Sequence, residues 1–169
     1  MSKRARQYIG ILAAVVAYYL IHEGAHFLYA VCSGVFREIK FMGIGIQIDV
    51  FAEQMTDAQL GVFCLVGALA TLLSGYILTL FANKICQFNS KVLRATAYYI
   101  TIAFLLIDPL YLSLLCGLFG GGDMNGISLL CPAWASRCLF GLVLVANGFV
   151  FWRRLWPVYK KSFAGSDGE

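Results

Sequence analysis

The sequence predicts an all-α, multi-pass membrane protein, and its composition and its pattern of apolar runs carry this prediction. Of the 169 residues, 60% are hydrophobic and only 13% are charged, whereas soluble domains have about 25% charged residues. The apolar residues form four continuous runs, each close to the roughly 20 residues that a helix needs to cross a bilayer. They do not alternate as membrane-barrel strands do. This pattern excludes a secreted disulfide scaffold, a disordered chain and a nucleic-acid-binding module.

Four transmembrane helices are predicted, at about residues 8–33, 60–81, 95–118 and 127–152. We interpret residues 1–163 as a single integral-membrane domain and residues 164–169 as a disordered tail. With the N-terminus inside, ten of the 13 Lys and Arg residues fall on the inner side, and the exceptions are Arg37, Lys40 and Arg137. The positive-inside rule then places both termini in the cytoplasm, and we expect a plasma-membrane protein. The net charge of +4 is therefore a topology signal and not evidence of a nucleic-acid partner.

A short β-hairpin is predicted between the first and second helices. Apolar residues alternate with polar or small ones over residues 44–50, and a period of two is typical of a strand. Residues 37–41 can pair with this strand through a turn at Met42 and Gly43. The alternative is a surface loop with some β character.

The two histidines of the chain, His22 and His26, lie in one pentapeptide within the first apolar run, with Glu23 between them. Residues four apart share one face of a helix, so both imidazoles can reach a single metal ion. In this HExxH pattern, Glu23 has the position of a general base that takes a proton from water.

The alternative is that these three residues are incidental polar groups. A charge at the bilayer centre costs at least ~2.5 kcal/mol, so three ionisable groups in one turn need a compensating interaction. A metal ion supplies it, and the sequence therefore favours a metal site. Zn²⁺ is the cofactor expected for two histidines and one further protein ligand.

Two aspartates, Asp108 and Asp123, are candidates for the third protein ligand. His22 lies about 24 Å along its helix from Arg6, and Asp108 lies about 21 Å along its own helix from Arg94, at 1.5 Å per residue. The two residues are thus expected at one depth. Asp123 follows a run of three glycines, which can break the helix and turn the chain back into the protein. A helix N-cap is the structural alternative for Asp123.

These features resemble the site-2 protease family of intramembrane zinc metalloproteases. The resemblance rests on HExxH in the first membrane helix, the strand that follows it and an aspartate in a glycine-rich helix break. The stretch 67–70 (Gly-Ala-Leu-Ala) is similar to a small-residue motif of that family, and Asp123 to Gly126 is similar to its Leu-Asp-Gly motif. The resemblance implies that Asp123 is the third zinc ligand and that Asp108 lies behind the ligands or positions substrate.

The expected activity is hydrolysis of peptide bonds in a membrane-embedded or membrane-associated protein, with Glu23 as the catalytic base. Asn125, Ile46 and Ile48 are candidate substrate-positioning residues. One alternative is a non-proteolytic protein of the same fold that binds or chaperones a membrane partner. A metal transporter is less favoured, because the sequence shows only one ionisable cluster. The substrate and the oligomeric state are not determined by the sequence.

Overall fold

The structure, a computed structural model, describes residues 2–43, 45–118 and 120–164. Its helices and strands follow in the order α1 (Lys3–Cys32), β1 (Phe36–Met42), β2 (Gly45–Val50), α2 (Asp57–Ile85), α3 (Lys91–Leu110), α4 (Asp123–Ile127), α5 (Ala133–Val150) and α6 (Trp156–Ala164). A π-helical turn and a 3₁₀ turn extend α3 to Leu118, and a second π-helical turn joins α5 to α6.

Four stretches of these described residues are long and apolar enough to cross a membrane: Lys3–Cys32, Asp57–Ile85, Lys91–Leu118 and Ala133–Ala164. The all-α, multi-pass class predicted from the sequence is therefore confirmed. The first three stretches begin before the predicted apolar runs, because hydroxyl side chains cap them. Ser2, Thr56 and Ser90 each accept a hydrogen bond from a backbone N–H of the first helical turn.

The fourth membrane helix differs from the prediction at both ends. It was expected over residues 127–152, but Ile127 ends the short helix α4 and Pro132 is the N-cap of α5. Proline has no N–H, which makes it favourable at a helix start and costly in a helix interior, and the long helix begins directly after Pro132. At the other end, the helix continues to Ala164, the first residue of the predicted disordered tail. The rest of that tail, 165–169, lies outside the described residues.

The predicted hairpin is confirmed as a two-stranded antiparallel sheet. Phe41 pairs with Ile46, and Ile39 pairs with Ile48. The turn contains Gly43 at φ 63°, a backbone conformation that glycine adopts without strain, whereas Ile44 lies outside the described residues. A register shift between Phe36 and Glu38 marks a bulge at the base of the hairpin.

Helix α3 is the centre of the bundle and packs against α1, α2 and α5. It contains Pro109, which cannot donate the backbone hydrogen bond that the Leu105 carbonyl would otherwise accept. The fully buried Asn147 of α5 replaces that donor, since its Nδ2 lies 2.6 Å from the Leu105 oxygen. Asn147 Oδ1 in turn accepts a hydrogen bond of 2.5 Å from the Tyr76 hydroxyl of α2. Three membrane helices are thereby joined at the proline.

The two ends of the bundle differ in charge. The start of α1, the end of α2, the start of α3 and all of α6 meet at one end, around the buried Leu155 and Tyr159. The ten Lys and Arg residues assigned above to the inner side belong to these segments and to the turn before α6. The hairpin and the glycine-rich break belong to the other end. This arrangement agrees with the predicted topology, and the kind of membrane and the side of the termini stay predictions.

Candidate metal centre

Helix α1 turns both histidines towards α2. His22 and His26 are one helical turn apart and are buried, with exposed fractions of 6% and 3%. They fit against α2 because Gly67 has no side chain. A Cβ atom at Gly67 would lie 2.5 Å from His26 Nε2 and 2.9 Å from His22 Nε2. Gly67 therefore opens the space in which the two Nε2 atoms stand.

Asp123 completes a group of three donor atoms. Its Oδ2 lies 3.2 Å from His22 Nε2 and 3.6 Å from His26 Nε2, and the two Nε2 atoms are 3.2 Å apart. The glycines at 120, 121 and 122 have φ values of 77°, 88° and 46°, all in the left-handed region. This run reverses the chain after α3 and places Asp123 at the first position of α4. The N-cap of α4 is Gly122, so Asp123 does not have the capping role considered above.

The second nitrogen of each imidazole faces a hydrogen-bond acceptor. His26 Nδ1 lies 2.7 Å from the backbone oxygen of Phe63. His22 Nδ1 lies 3.3 Å from Asp108 Oδ1, without the alignment of a hydrogen bond. An acceptor at Nδ1 favours the tautomer that carries its proton there and leaves the Nε2 lone pair free. Both free lone pairs then point at the same space as the Asp123 carboxylate.

Asp108 lies at the depth expected for it, beside His22, but on the Nδ1 side of the ring. It is 1% exposed and lies in the last turn of α3, next to Pro109. Its carboxylate accepts hydrogen bonds from the hydroxyl groups of Tyr18 and Thr71. Asp108 is thus held by two donors behind His22, whereas Asp123 faces both Nε2 atoms.

Glu23 lies at the edge of this group and is half-buried. Helix α1 packs against β2, and the backbone of Ile48 lies near the Glu23 carboxylate. Ile48 itself is buried, whereas Ile46 is 37% exposed. The outer edge of β2 therefore lies next to the carboxylate of Glu23, the catalytic base predicted from the sequence.

Asn125 contacts the loop that carries Asp123. Its Nδ2 donates a hydrogen bond of 3.1 Å to the backbone oxygen of Gly120, and its side chain is exposed. In this structure Asn125 stabilises the glycine-rich turn. Its predicted role in positioning substrate stays a prediction, as do the same roles of Ile46 and Ile48.

Several residues that contact His22, His26 or Asp108 were not predicted from the sequence. Tyr18 lies four residues before His22, so the helical period alone could have placed it on the same face. Thr71 lies four residues after Gly67 on α2, which is a weaker signal. The contact of His26 with the Phe63 carbonyl could not be predicted from the sequence, because every residue has a backbone oxygen.

Comparisons with protein-family models, with curated proteins and with solved structures find no match to this chain. The chemistry of the centre is therefore argued from its own geometry. His22, His26 and Asp123 each offer one ligand atom, and these three atoms all lie within 4.8 Å of one another. The three residues could hold a metal ion. The space that Gly67 leaves and the three converging lone pairs are the features that fit such an ion.

Proposed function

We propose that this protein is an intramembrane zinc metallopeptidase of the site-2 protease type. The convergence of His22 Nε2, His26 Nε2 and Asp123 Oδ2 beside Glu23 carries the proposal. Catalytic zinc sites use three protein ligands and keep one position open for water or substrate. The Asp123 side chain is 26% exposed, so the group is reached from the side of the glycine-rich turn.

Zinc suits these donors better than the common alternatives. Mg²⁺ and Ca²⁺ prefer shells made of oxygen atoms, whereas two imidazoles and one carboxylate are typical of zinc and related metals. Asp108 belongs behind the ligands in this proposal. Its place at His22 Nδ1 is that of a carboxylate that orients a ligating histidine.

The reaction is hydrolysis of a peptide bond, in which a carbon–oxygen bond forms and the carbon–nitrogen bond breaks. When bound, zinc supplies Lewis acidity, which polarises the scissile carbonyl and makes water a stronger acid. Glu23 accepts the proton that the attacking water gives up and returns it to the leaving amine nitrogen.

The substrate in this proposal is a membrane protein or peptide that is extended before it is cut. A helical segment hides its carbonyl groups in its own hydrogen bonds, so it must unwind first. The edge of β2 at Ile46 and Ile48 can receive it as an added strand, because an edge strand offers unpaired backbone groups. Proline at position 46 removes one of these N–H groups and is expected to slow cleavage. Unchanged cleavage by both Ile46→Pro and Ile48→Pro would refute the strand role.

The decisive experiment combines metal analysis with a cleavage assay. Protein purified in detergent is first analysed for bound zinc and then reconstituted with single-pass membrane peptides, whose new ends are identified by mass spectrometry. The wild type is expected to hold zinc and to cut. Glu23→Gln is expected to hold zinc and not to cut, because only the base is lost.

Two outcomes contradict this proposal. A wild type that takes up no zinc at neutral pH rejects the metal centre. Cutting by Glu23→Gln at the wild-type rate rejects Glu23 as the base. Zinc uptake without cutting by any variant favours the alternative that the protein binds or chaperones a membrane partner, for which Glu23 is not needed.

A further inference from the structure

A second polar site lies at the charged end of the bundle, between α2, α3 and α6. It is a cleft of about 680 Å³. Its polar lining comes from the end of α2, from Arg94 of α3 and from two residues of α6, namely Asn83, Gln87, Arg94, Lys161 and Ser162. The start of α1 connects this end to the histidines, which are about 24 Å further along the same helix. The cleft is thus separate from the metal centre.

Arg94 is the unusual residue of the cleft. It is only 7% exposed, yet no described carboxylate forms an ion pair with it. One of its terminal nitrogens donates to the backbone oxygen and the hydroxyl of Ser162, at 2.9 and 2.7 Å. Its Nε is buried and has no hydrogen-bond partner. A buried cation without a counter-ion is costly, and among the described residues Arg94 has none, so a bound anion would stabilise it.

The surroundings of Arg94 add positive charge and no described negative charge. Lys161 lines the same cleft and is exposed. A neighbouring cleft of about 360 Å³, on the other side of α6, is lined by Lys3, Arg6 and Lys160 among others. Neither lining includes an Asp or Glu among the described residues. An anion that enters the first cleft therefore meets two cations, Arg94 and Lys161, and no carboxylate of the described residues.

We infer that this cleft binds the headgroup of an anionic phospholipid, with its phosphate held by Arg94 and Lys161. The Arg94 guanidinium and the Lys161 ammonium group can both form charge-assisted hydrogen bonds with a phosphate. Ser162 and Gln87 add neutral polar groups to the same lining. Basic clefts between membrane helices at a charged end are typical lipid-headgroup sites.

A lipid fits better than a soluble phosphate compound for two reasons. The cleft lies at the ends of membrane-spanning helices, where lipid headgroups are concentrated. Its lining also includes the apolar residues Pro157 and Val158, which can contact the glycerol and the first carbons of the acyl chains. The exposed Trp152 and Trp156 belong to the same end of the fourth membrane stretch, a position typical of the bilayer interface.

The test measures lipid retention on the whole protein in nanodiscs that contain phosphatidylcholine and phosphatidylglycerol. After release from the discs, native mass spectrometry counts the phosphatidylglycerol molecules that stay bound. Lys161→Gln is expected to lower retention about fivefold, the effect of removing one cation near a headgroup. Arg94→Gln is expected to lower it further. Lys84→Gln is the matched control, because Lys84 is exposed at the same end but does not line the cleft.

Each outcome supports or overturns the inference. A loss with Lys161→Gln and none with Lys84→Gln supports it, and this comparison holds even if Arg94→Gln fails to fold. Equal retention of phosphatidylglycerol and phosphatidylcholine overturns it, as does equal loss in the Lys161 and Lys84 variants. Displacement of the lipid by millimolar inorganic phosphate identifies a soluble phosphate site instead. None of these readouts depends on peptidase activity or on bound zinc.

Discussion

Two groups of buried polar side chains lie between the membrane helices, and they differ in how their hydrogen bonds are satisfied. At Asn147 every group has a complement, because the amide donates to the Leu105 carbonyl and accepts from the Tyr76 hydroxyl. At the metal centre, three acceptor atoms converge from His22, His26 and Asp123. The first group joins helices and needs nothing else. The second needs a positive ion or a proton between its atoms.

This difference separates a group of polar side chains that joins helices from a group that could hold a metal ion. Both groups are buried, and both lie near α3, so neither burial nor position distinguishes them. The two groups differ in whether each hydrogen-bond acceptor has a donor, as at Asn147, or faces other acceptors, as at His22, His26 and Asp123. The Asp108 carboxylate lies between the two cases, since it accepts two hydroxyl hydrogen bonds and also faces a histidine.

The largest expected effect on zinc binding comes from removing one of the three proposed ligand atoms. His26→Ala is expected to reduce bound zinc from one ion per chain to near none, because two donors cannot hold the metal against water. Zinc per chain, measured by mass spectrometry of the purified protein, checks this. Asn147→Ala is the control and is expected to keep its zinc. A zinc content that falls equally in both variants would show general misfolding rather than loss of a ligand.

The second effect tests the space that Gly67 leaves beside the Nε2 atoms of the two histidines. Gly67→Ala is expected to weaken zinc binding by more than an order of magnitude, since the new Cβ would lie 2.5 Å from His26 Nε2 and must push the ring away. Gly75→Ala on the same helix is the matched control. There the Cβ would lie 3.0 Å from a Leu105 methyl group, which is not a ligand. Competition with a zinc chelator measures both affinities, and equal values would reject the role of Gly67.

The third effect concerns the carboxylate behind the ligands. Asp108→Asn is expected to lower zinc affinity about 10- to 100-fold without abolishing binding, as losses of such outer partners do. The asparagine retains the size of the side chain but loses the negative charge beside His22 Nδ1. The same chelator competition reports it. Complete loss of zinc would instead make Asp108 a ligand and would reopen the choice between the two aspartates.

The fourth effect is on stability alone. Asn147→Ala is expected to lower the free energy of unfolding by about 1–3 kcal/mol, because it leaves the Leu105 carbonyl without a donor inside the membrane. Denaturation in mixed detergent micelles measures the change. Tyr76→Phe removes only one hydrogen bond of the same group and is expected to cost less. An effect of Asn147→Ala on zinc affinity would contradict the division between the two groups.

The smallest effect is expected at a partly exposed polar group, the ion pair of the hairpin. Lys40 Nζ lies 2.7 Å from Asp49 Oδ2, and this contact lowers the pKa of Asp49. The pair therefore stabilises the hairpin fully above the usual Asp pKa, and the stabilisation is lost as the pH falls through the lowered pKa. Amide hydrogen exchange in β1 and β2 should accelerate, relative to its intrinsic rate, on acidification. Asp49→Asn should remove this dependence, and an unchanged dependence would assign it to another group.

The local features of the fold were predictable because each depends on neighbouring residues. Apolar runs predict the four membrane stretches, and the alternation after Met42 predicts the second strand of the hairpin. The predicted start of the fourth helix was wrong because residues 127–131 are as apolar as a helix interior, although Pro132 marks the boundary. The continuation of that helix to Ala164 was missed because its last turns are polar.

The sequence by itself determined that the protein crosses a membrane with helices and that His22, Glu23 and His26 lie together on the first of them. These conclusions follow from hydrophobicity and from the helical period, which act over a few residues. Only the tertiary structure decided that Asp123 faces the Nε2 atoms while Asp108 lies behind His22. The same holds for the space at Gly67 and for the burial of Arg94 without an ion pair to any described carboxylate. Each of these depends on how separate helices approach one another, and that distance is set by the packing of the whole bundle.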